Sequence, residues 1–104
     1  MEALFRSIVA LALDQDGSLL IVDDGDQRIR RLDFTTNQVT TVAGCGRRMN
    51  DGLSERLNGP ALEAEFRSAC FAEVLPDGSI LVCDSCLLRQ ISSDRKTVST
   101  LLML

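Results

Sequence analysis

Asp16-Gly17-Ser18-Leu19-Leu20-Ile21-Val22-Asp23 recurs as Asp77-Gly78-Ser79-Ile80-Leu81-Val82-Cys83-Asp84, 61 positions further along the chain from Asp16 to Asp77. Asp-Gly is a tight-turn dipeptide, because Gly accepts positive φ and Asp bonds its own backbone. The five residues after each Gly are apolar or small and stop at an aspartate, which is the pattern of a short buried strand. Each copy therefore reads as the second half of a β-hairpin.

The first halves are found by moving upstream. Phe5-Arg6-Ser7 and Phe66-Arg67-Ser68 open the two units, again 61 apart. Ile8 to Leu13 follows in the first unit and Ala69 to Leu75 in the second. The first of these runs is almost continuously apolar, which predicts a strand covered on both faces. Downstream, Asp24-Gly25-Asp26-Gln27 turns the chain into Arg28 to Asp33, and Ser85-Cys86-Leu87 turns it into Leu88 to Ser92. The spacing falls to 59 between Leu32 and Ile91, so the second turn is two residues shorter, a change that turns tolerate well. The loose alternation of this third strand predicts a bulge or an irregular end. Gln38 to Ala43 and Thr97 to Leu102 alternate Thr and Val and read as half-exposed outer strands. Each unit is thus a four-stranded antiparallel meander, the first at about 5–43 and the second at about 66–102.

The segment 44–65 between them is rich in Gly, Asn, Asp and Arg and is too long for an ordinary connection. It is the leading candidate for an interaction element, and its removal is expected to spare folding. Pro60 at a first helical position, followed by good helix formers to Phe66, predicts one or two helical turns.

Two such meanders in tandem suggest propeller blades. Ile21-Val22-Asp23, Asp26, and Arg28-Ile29-Arg30-Arg31-Leu32 resemble the NHL repeat, as does Val39-Thr40-Thr41-Val42-Ala43-Gly44. Asp51-Gly52, Ala61, Ala64 and Phe66 complete a linker like that of the long-repeat NHL subgroup. The resemblance runs from Phe5 to about Leu102. The second unit departs from it at Cys86-Leu87-Leu88, where a Gly-Asn turn is usual. The Pro-x-Gly that precedes the first strand in that family is absent from both units. The resemblance implies an all-β fold of two four-stranded antiparallel propeller-type blades joined by a long loop. It also implies a parent ring of about six blades, whereas a stack of repeats ordinarily needs at least ~3 for stability. The chain is therefore expected to be a fragment, a truncated product, or a protomer that closes a ring by self-association.

Composition restricts the chemistry. The 104 residues are 45% hydrophobic and carry a net charge of −4, enough for one small domain and unfavourable for general nucleic-acid binding. There is no His, Trp or Tyr. That removes the commonest general base and metal ligand, together with most stacking platforms for bases. A zinc-dependent peptide-amidating lyase, one NHL-like enzyme group, needs histidines that this sequence lacks. No apolar run approaches the ~18 residues of a membrane span, and Glu2 and Arg6 spoil a secretory leader, so a cytoplasmic location is the expectation.

The remaining motifs have structural readings that outweigh their chemical ones. Cys83-Asp84-Ser85-Cys86 ends a strand rather than opening a helix, and Cys83 reads as a small core residue. A zinc site would need two further ligands from Cys45 and Cys70, which are not paired in sequence. Asp23 and Asp84, which end equivalent strands, read as turn caps or partners of Arg28 and Arg89 rather than as a calcium ring like that of gluconolactonase-like propellers. Asp16-Gly17, Asp77-Gly78 and Asp24-Gly25-Asp26 read as hairpin turns, not as a calcium loop. The one basic concentration is Arg28, Arg30, Arg31, Arg47 and Arg48. Arg30, Arg31, Arg47 and Arg48 are the candidate interaction residues, and no cofactor is expected. The function expected is a non-catalytic scaffold presenting turns to a protein or peptide partner. Its rivals are an RNA-binding segment and part of a metal-dependent, lactonase-like enzyme.

Overall fold

A computed structural model describes residues 5–47 and 58–103. Its strands are β1 (Ile8–Leu13), β2 (Leu19–Asp23), β3 (Arg28–Asp33), β4 (Gln38–Ala43), β5 (Gly59–Pro60), β6 (Ala69–Val74), β7 (Ile80–Asp84), β8 (Leu87–Ile91) and β9 (Thr97–Met103). The first sheet runs β1-β2-β3-β4 and the second β5-β9-β8-β7-β6, every neighbouring pair antiparallel. The chain is all-β, as the doubled hairpin predicts.

The repeated turn forms for the reasons its residues suggest. Gly17 and Gly78 both sit at φ +89, a region that residues with a Cβ rarely adopt. Asp16 accepts the Ser18 backbone N–H at 3.0 Å, and Asp77 accepts that of Ser79 at 2.9 Å, with the serine hydroxyls on the same carboxylates. Even the irregularities repeat. Val9 in β1 and Cys70 in β6, 61 apart, are the extra residues of bulges against β2 and β7. Val42 in β4 and Leu101 in β9, 59 apart, are those against β3 and β8. The irregularity expected of the third strand thus falls in its pairing with the fourth, with the surplus residue on the fourth strand.

Direct cross-strand partners share a sheet face, so the register assigns every side chain. In the first blade Ala10, Ala12, Leu20, Val22, Ile29 and Ala43 lie on one face, here called the leading face. In the second blade Ala72, Val74, Ile80, Val82, Ile91 and Val98 lie on the opposite, trailing face. These two sets pack into one core, with Leu20, Val22, Ile29, Ala43, Ile80, Val82 and Ile91 fully buried. The blades therefore stack leading face to trailing face. Among the described residues no blade lies against the first blade's own trailing face. Hence β1 is not covered on both faces as its apolarity predicts: Leu11 and Leu13 are 59% and 71% exposed.

The described part of the linker is built into this interface. Gly59-Pro60 pairs with β9, and a single 3-10 turn follows at Ala61–Glu63, with Pro60 at the capping position rather than inside the helix. The turn occurs because Ala61 and Ala64 are buried between the blades and hold β4 through their carbonyls, which accept the Gly44 and Cys45 N–H groups at 2.9 and 3.1 Å. Gly44 is required there: at φ +100 its added Cβ would lie 2.3 Å from the Gln27 carbonyl oxygen. Removing the whole of 44–65 would strip these contacts from the core, which corrects the expectation that folding would be spared. Residues 48–57 of that loop lie outside the described residues.

Candidate functional site

The strand-ending aspartates fasten each blade to itself. Asp23 accepts backbone N–H bonds from Arg6 (2.9 Å), Ser7 (2.8 Å), Gly25 (3.1 Å) and Asp26 (3.2 Å). Burial opposes its ionisation more than any single bond favours it, but the backbone donors together hold its carboxyl below the usual carboxylate range. Asp84 repeats the arrangement, accepting from Arg67 at 3.1 Å and Ser68 at 2.6 Å. Each aspartate thus pins the entry to the first strand of its blade against the end of the second.

Arg89 completes the second copy. It is fully buried, pairs with Asp84 at 2.8 Å, donates to the Glu65 carbonyl at 2.9 Å and lies over the Phe66 ring at 5.0 Å. Burial pulls its basicity down, and the Asp84 carboxylate opposes that pull. Arg30 is its counterpart in the first blade, lying over Phe5 at 5.5 Å and reaching Asp26 at 3.8 Å. Of the two arginine partners expected for these aspartates, Arg89 joins Asp84. Arg28 does not join Asp23, bonding Asp26 at 2.6 Å instead.

The four candidate arginines are not gathered into one patch. Arg30 and Arg31 are successive residues of β3, so their side chains leave on opposite faces. Arg30 covers Phe5 on the trailing face; Arg31 turns to the rim of hairpin turns, where it bonds Asp16 and comes within 3.5 Å of Asp14. Arg47 is exposed at the edge of the described region, and Arg48 lies outside it.

That rim holds a polar cleft of about 310 Å³ lined by Asp14, Asp16, Arg31, Asp77, Ser93 and Arg95 among others. Arg95 crosses from the second blade to grip Asp14 of the first with two bonds, 2.5 and 2.7 Å. Gln15 donates its side-chain amide to the Leu75 and Pro76 carbonyls at 3.3 and 2.7 Å. At the opposite rim the Ser68 hydroxyl bonds Asp24 at 3.1 Å. Asp14 and Arg95 escaped sequence reasoning because 81 positions separate them and neither belongs to a motif. The Arg95 bond holds the Asp14 carboxyl below the usual range, against an opposing effect of burial. A depressed carboxylate contributes stability above its unfolded value of about 4 and loses it as pH falls through the lower folded value. We expect acid titration of stability to lose about 1 kcal/mol there, an allowance for a screened, partly exposed pair. Arg95→Ala should remove that component of the pH dependence; an unchanged profile would show that the pair contributes nothing.

The cysteines are free thiols, with Cys70, Cys83 and Cys86 exposed and Cys45 half-buried. Cys83 is therefore not a core residue. The alternation of β7 sends it to the leading face of the second blade, which no strand among the described residues covers. Cys70 approaches it, its Sγ lying 3.5 Å from the Cys83 carbonyl oxygen, and burial pushes the Cys70 thiol up. Among the described residues no cluster of three or more Cys, Asp or Glu is placed to hold a metal ion.

No protein-family description and no curated protein matches the sequence. Among solved structures, 98% of the chain superposes on 32% of a luciferin-regenerating enzyme, with a TM-score of 0.64 and 13% identity. A structural-genomics protein of unknown function from Bacteroides thetaiotaomicron VPI-5482 matches 89% of the chain over 35% of its own, at a TM-score of 0.42 and 19% identity. The first of these is a β-propeller, and the likeness places this chain in the propeller-type fold class. The chain spans about a third of the length of either structure.

Proposed function

We propose that the chain is a non-catalytic interaction module of NHL type, presenting its rim turns to a protein or peptide partner. The observation that carries this reading is the occupation of the repeated carboxylates. Asp23 and Asp84 hold backbone N–H groups, and Asp16 and Asp77 hold the turn serines, so each repeated acid has an architectural task in both copies. The NHL-like residues have tasks of the same kind: Asp23 fastens the blade, Arg30 covers Phe5, and Gly44 admits the Gln27 carbonyl. The dispersal of Arg30, Arg31 and Arg47 favours a protein partner over RNA, which calls for a continuous basic track.

Arg47 is the exposed member of the candidate set among the described residues, and rim residues on a rigid scaffold are where such modules recognise partners. With a partner first captured by the immobilised chain and then purified, Arg47→Glu should weaken binding about tenfold without changing the melting temperature, as expected for a contact worth ~1.4 kcal/mol. Equal affinities for the two forms would remove Arg47 from the interface. Calcium-dependent lactone hydrolysis by the purified chain would replace the scaffold reading with the enzymatic one.

A further inference from the structure

The two flanks of the chain are unequal, and the repeat says what each of them fits. Every residue that the second blade buries against the first has a counterpart on the first blade's open trailing face. For Ala72, Val74, Ile80, Val82 and Ile91 the counterparts are Leu11, Leu13, Leu19, Ile21 and Leu32. The leading face behaves likewise. Ala10, Leu20, Val22, Ile29 and Ala43, which the first blade buries against the second, correspond to Phe71, Leu81, Cys83, Leu88 and Leu102 of the second blade.

Apart from Ile21, which is 5% exposed on the trailing face where it stands opposite Arg30, burial follows position in the stack rather than residue type. Ala72 is 3% exposed while Leu11 is 59% exposed, and Ala43 is 0% exposed while Leu102 is 50% exposed. At Leu11, Leu13, Phe71 and Leu102 the larger side chain of the pair is the one left open, and an exposed Leu or Phe forgoes the stabilisation of burial. Since one flank presents a leading face and the other a trailing face, the two described blades do not cover their own flanks. A second copy can, because it offers on one side what the first lacks on the other. The contact is heterologous, and heterologous contacts form rings when the rotation closes.

We propose that this chain assembles head to tail with further copies of itself, the leading face of the second blade seating on the trailing face of the first blade of the next copy, to close a propeller of three copies. The number follows from the chain's share of the superposed luciferin-regenerating enzyme, 32%, or about a third of that fold. Glu73 is the charged residue on the leading face of the second blade, as Arg30, lying over Phe5, is on the trailing face of the first. Glu73 stands where the first blade has Ala12, on the edge strand β6, from which its carboxylate reaches solvent. Leu11, Leu13, Phe71 and Leu102 bring larger apolar side chains to the contact between copies than Ala72, Val74, Ala10 and Ala43 bring to the contact between blades, which favours an association between separate chains.

Sedimentation equilibrium of the purified chain should give about 34 kDa, three times 11.4 kDa. Leu11→Arg blocks the trailing flank alone and Phe71→Arg the leading flank alone, and both replace exposed residues. Each variant by itself should be monomeric, and an equimolar mixture should form a dimer and stop there, since one productive contact remains. Alkylation of Cys83 should slow at least tenfold on assembly while Cys86 keeps its rate. A monomeric wild-type chain, a two-fold dimer, or self-association of either variant would overturn the proposal. If the separate chain proves insoluble, three copies joined by flexible linkers decide the matter. A soluble, cooperatively melting product with Cys83 protected in all three copies supports the ring, and one with reactive Cys83 throughout excludes it. Failure of Arg47→Glu to affect partner binding leaves these outcomes untouched, so the ring and the scaffold reading stand or fall separately.

Discussion

Arg89→Ala should cost about 3–5 kcal/mol of folding stability, the range for breaking a buried ion pair by removing one partner. Neither Arg89 nor Asp84 has any side-chain exposure, so water cannot replace the lost guanidinium. The substitution also uncovers the Phe66 ring and leaves the Glu65 carbonyl without the bond that Arg89 supplies. The repeat furnishes an internal control. Arg30→Ala removes the corresponding cation from the first blade, where Asp23 is held by backbone N–H groups and Arg30 retains 17% side-chain exposure. Its cost should be about 1 kcal/mol, in the range of partly exposed pairs. Urea titration of the two variants measures both values, and equal costs would show that the buried pair is no more important than its exposed counterpart.

Ile80→Ala is the second large effect expected, at about 2–5 kcal/mol, because it opens a cavity where the blades meet. Ile80 is fully buried between them. Leu19 occupies the same position in the first blade but faces the open flank and is half-buried. Leu19→Ala should therefore cost no more than about 1 kcal/mol in the dissociated chain, near the centre of the distribution for point mutants. At concentrations where three copies close a ring, Leu19 acquires the surroundings of Ile80, and the two penalties should converge. Denaturation followed as a function of protein concentration tests this directly. A large Leu19→Ala penalty in dilute monomer would mean that the first blade's trailing face is covered from within the chain.

The two predictions concern equivalent residues with unequal fates, and that inequality separates what was legible in sequence from what was not. The meanders, their turns and most strand ends followed from Asp16-Gly17 and Asp77-Gly78 and from the apolar runs behind them, because turn chemistry and alternation are local. Asp23 and Asp84 were readable as architectural because they recur at one spacing. Burial was not readable. Ile8 to Leu13 is more apolar than Ala69 to Val74 and yet more exposed, since exposure depends on whether another blade lies against the face. Cys83 failed as a core residue for the same reason, its neighbours in sequence being apolar but its face open.

The candidate site was less legible than the fold. Arg30 and Arg31 look like a basic pair along the chain, and the pleat of β3 parts them. The Asp14–Arg95 clamp joins turns of different blades across 81 positions, a pairing that no local pattern encodes. The sequence alone determined a doubled four-stranded β-unit, its hairpin turns and the aspartates that fasten them, because those depend on φ preference and on hydrogen bonds between near neighbours. Only the tertiary structure decided which flank of each unit is covered, which arginine is buried, and where the two units are clamped together. Those depend on the packing of one sheet on another, and identical positions in a repeat are distinguished by nothing except what lies next to them.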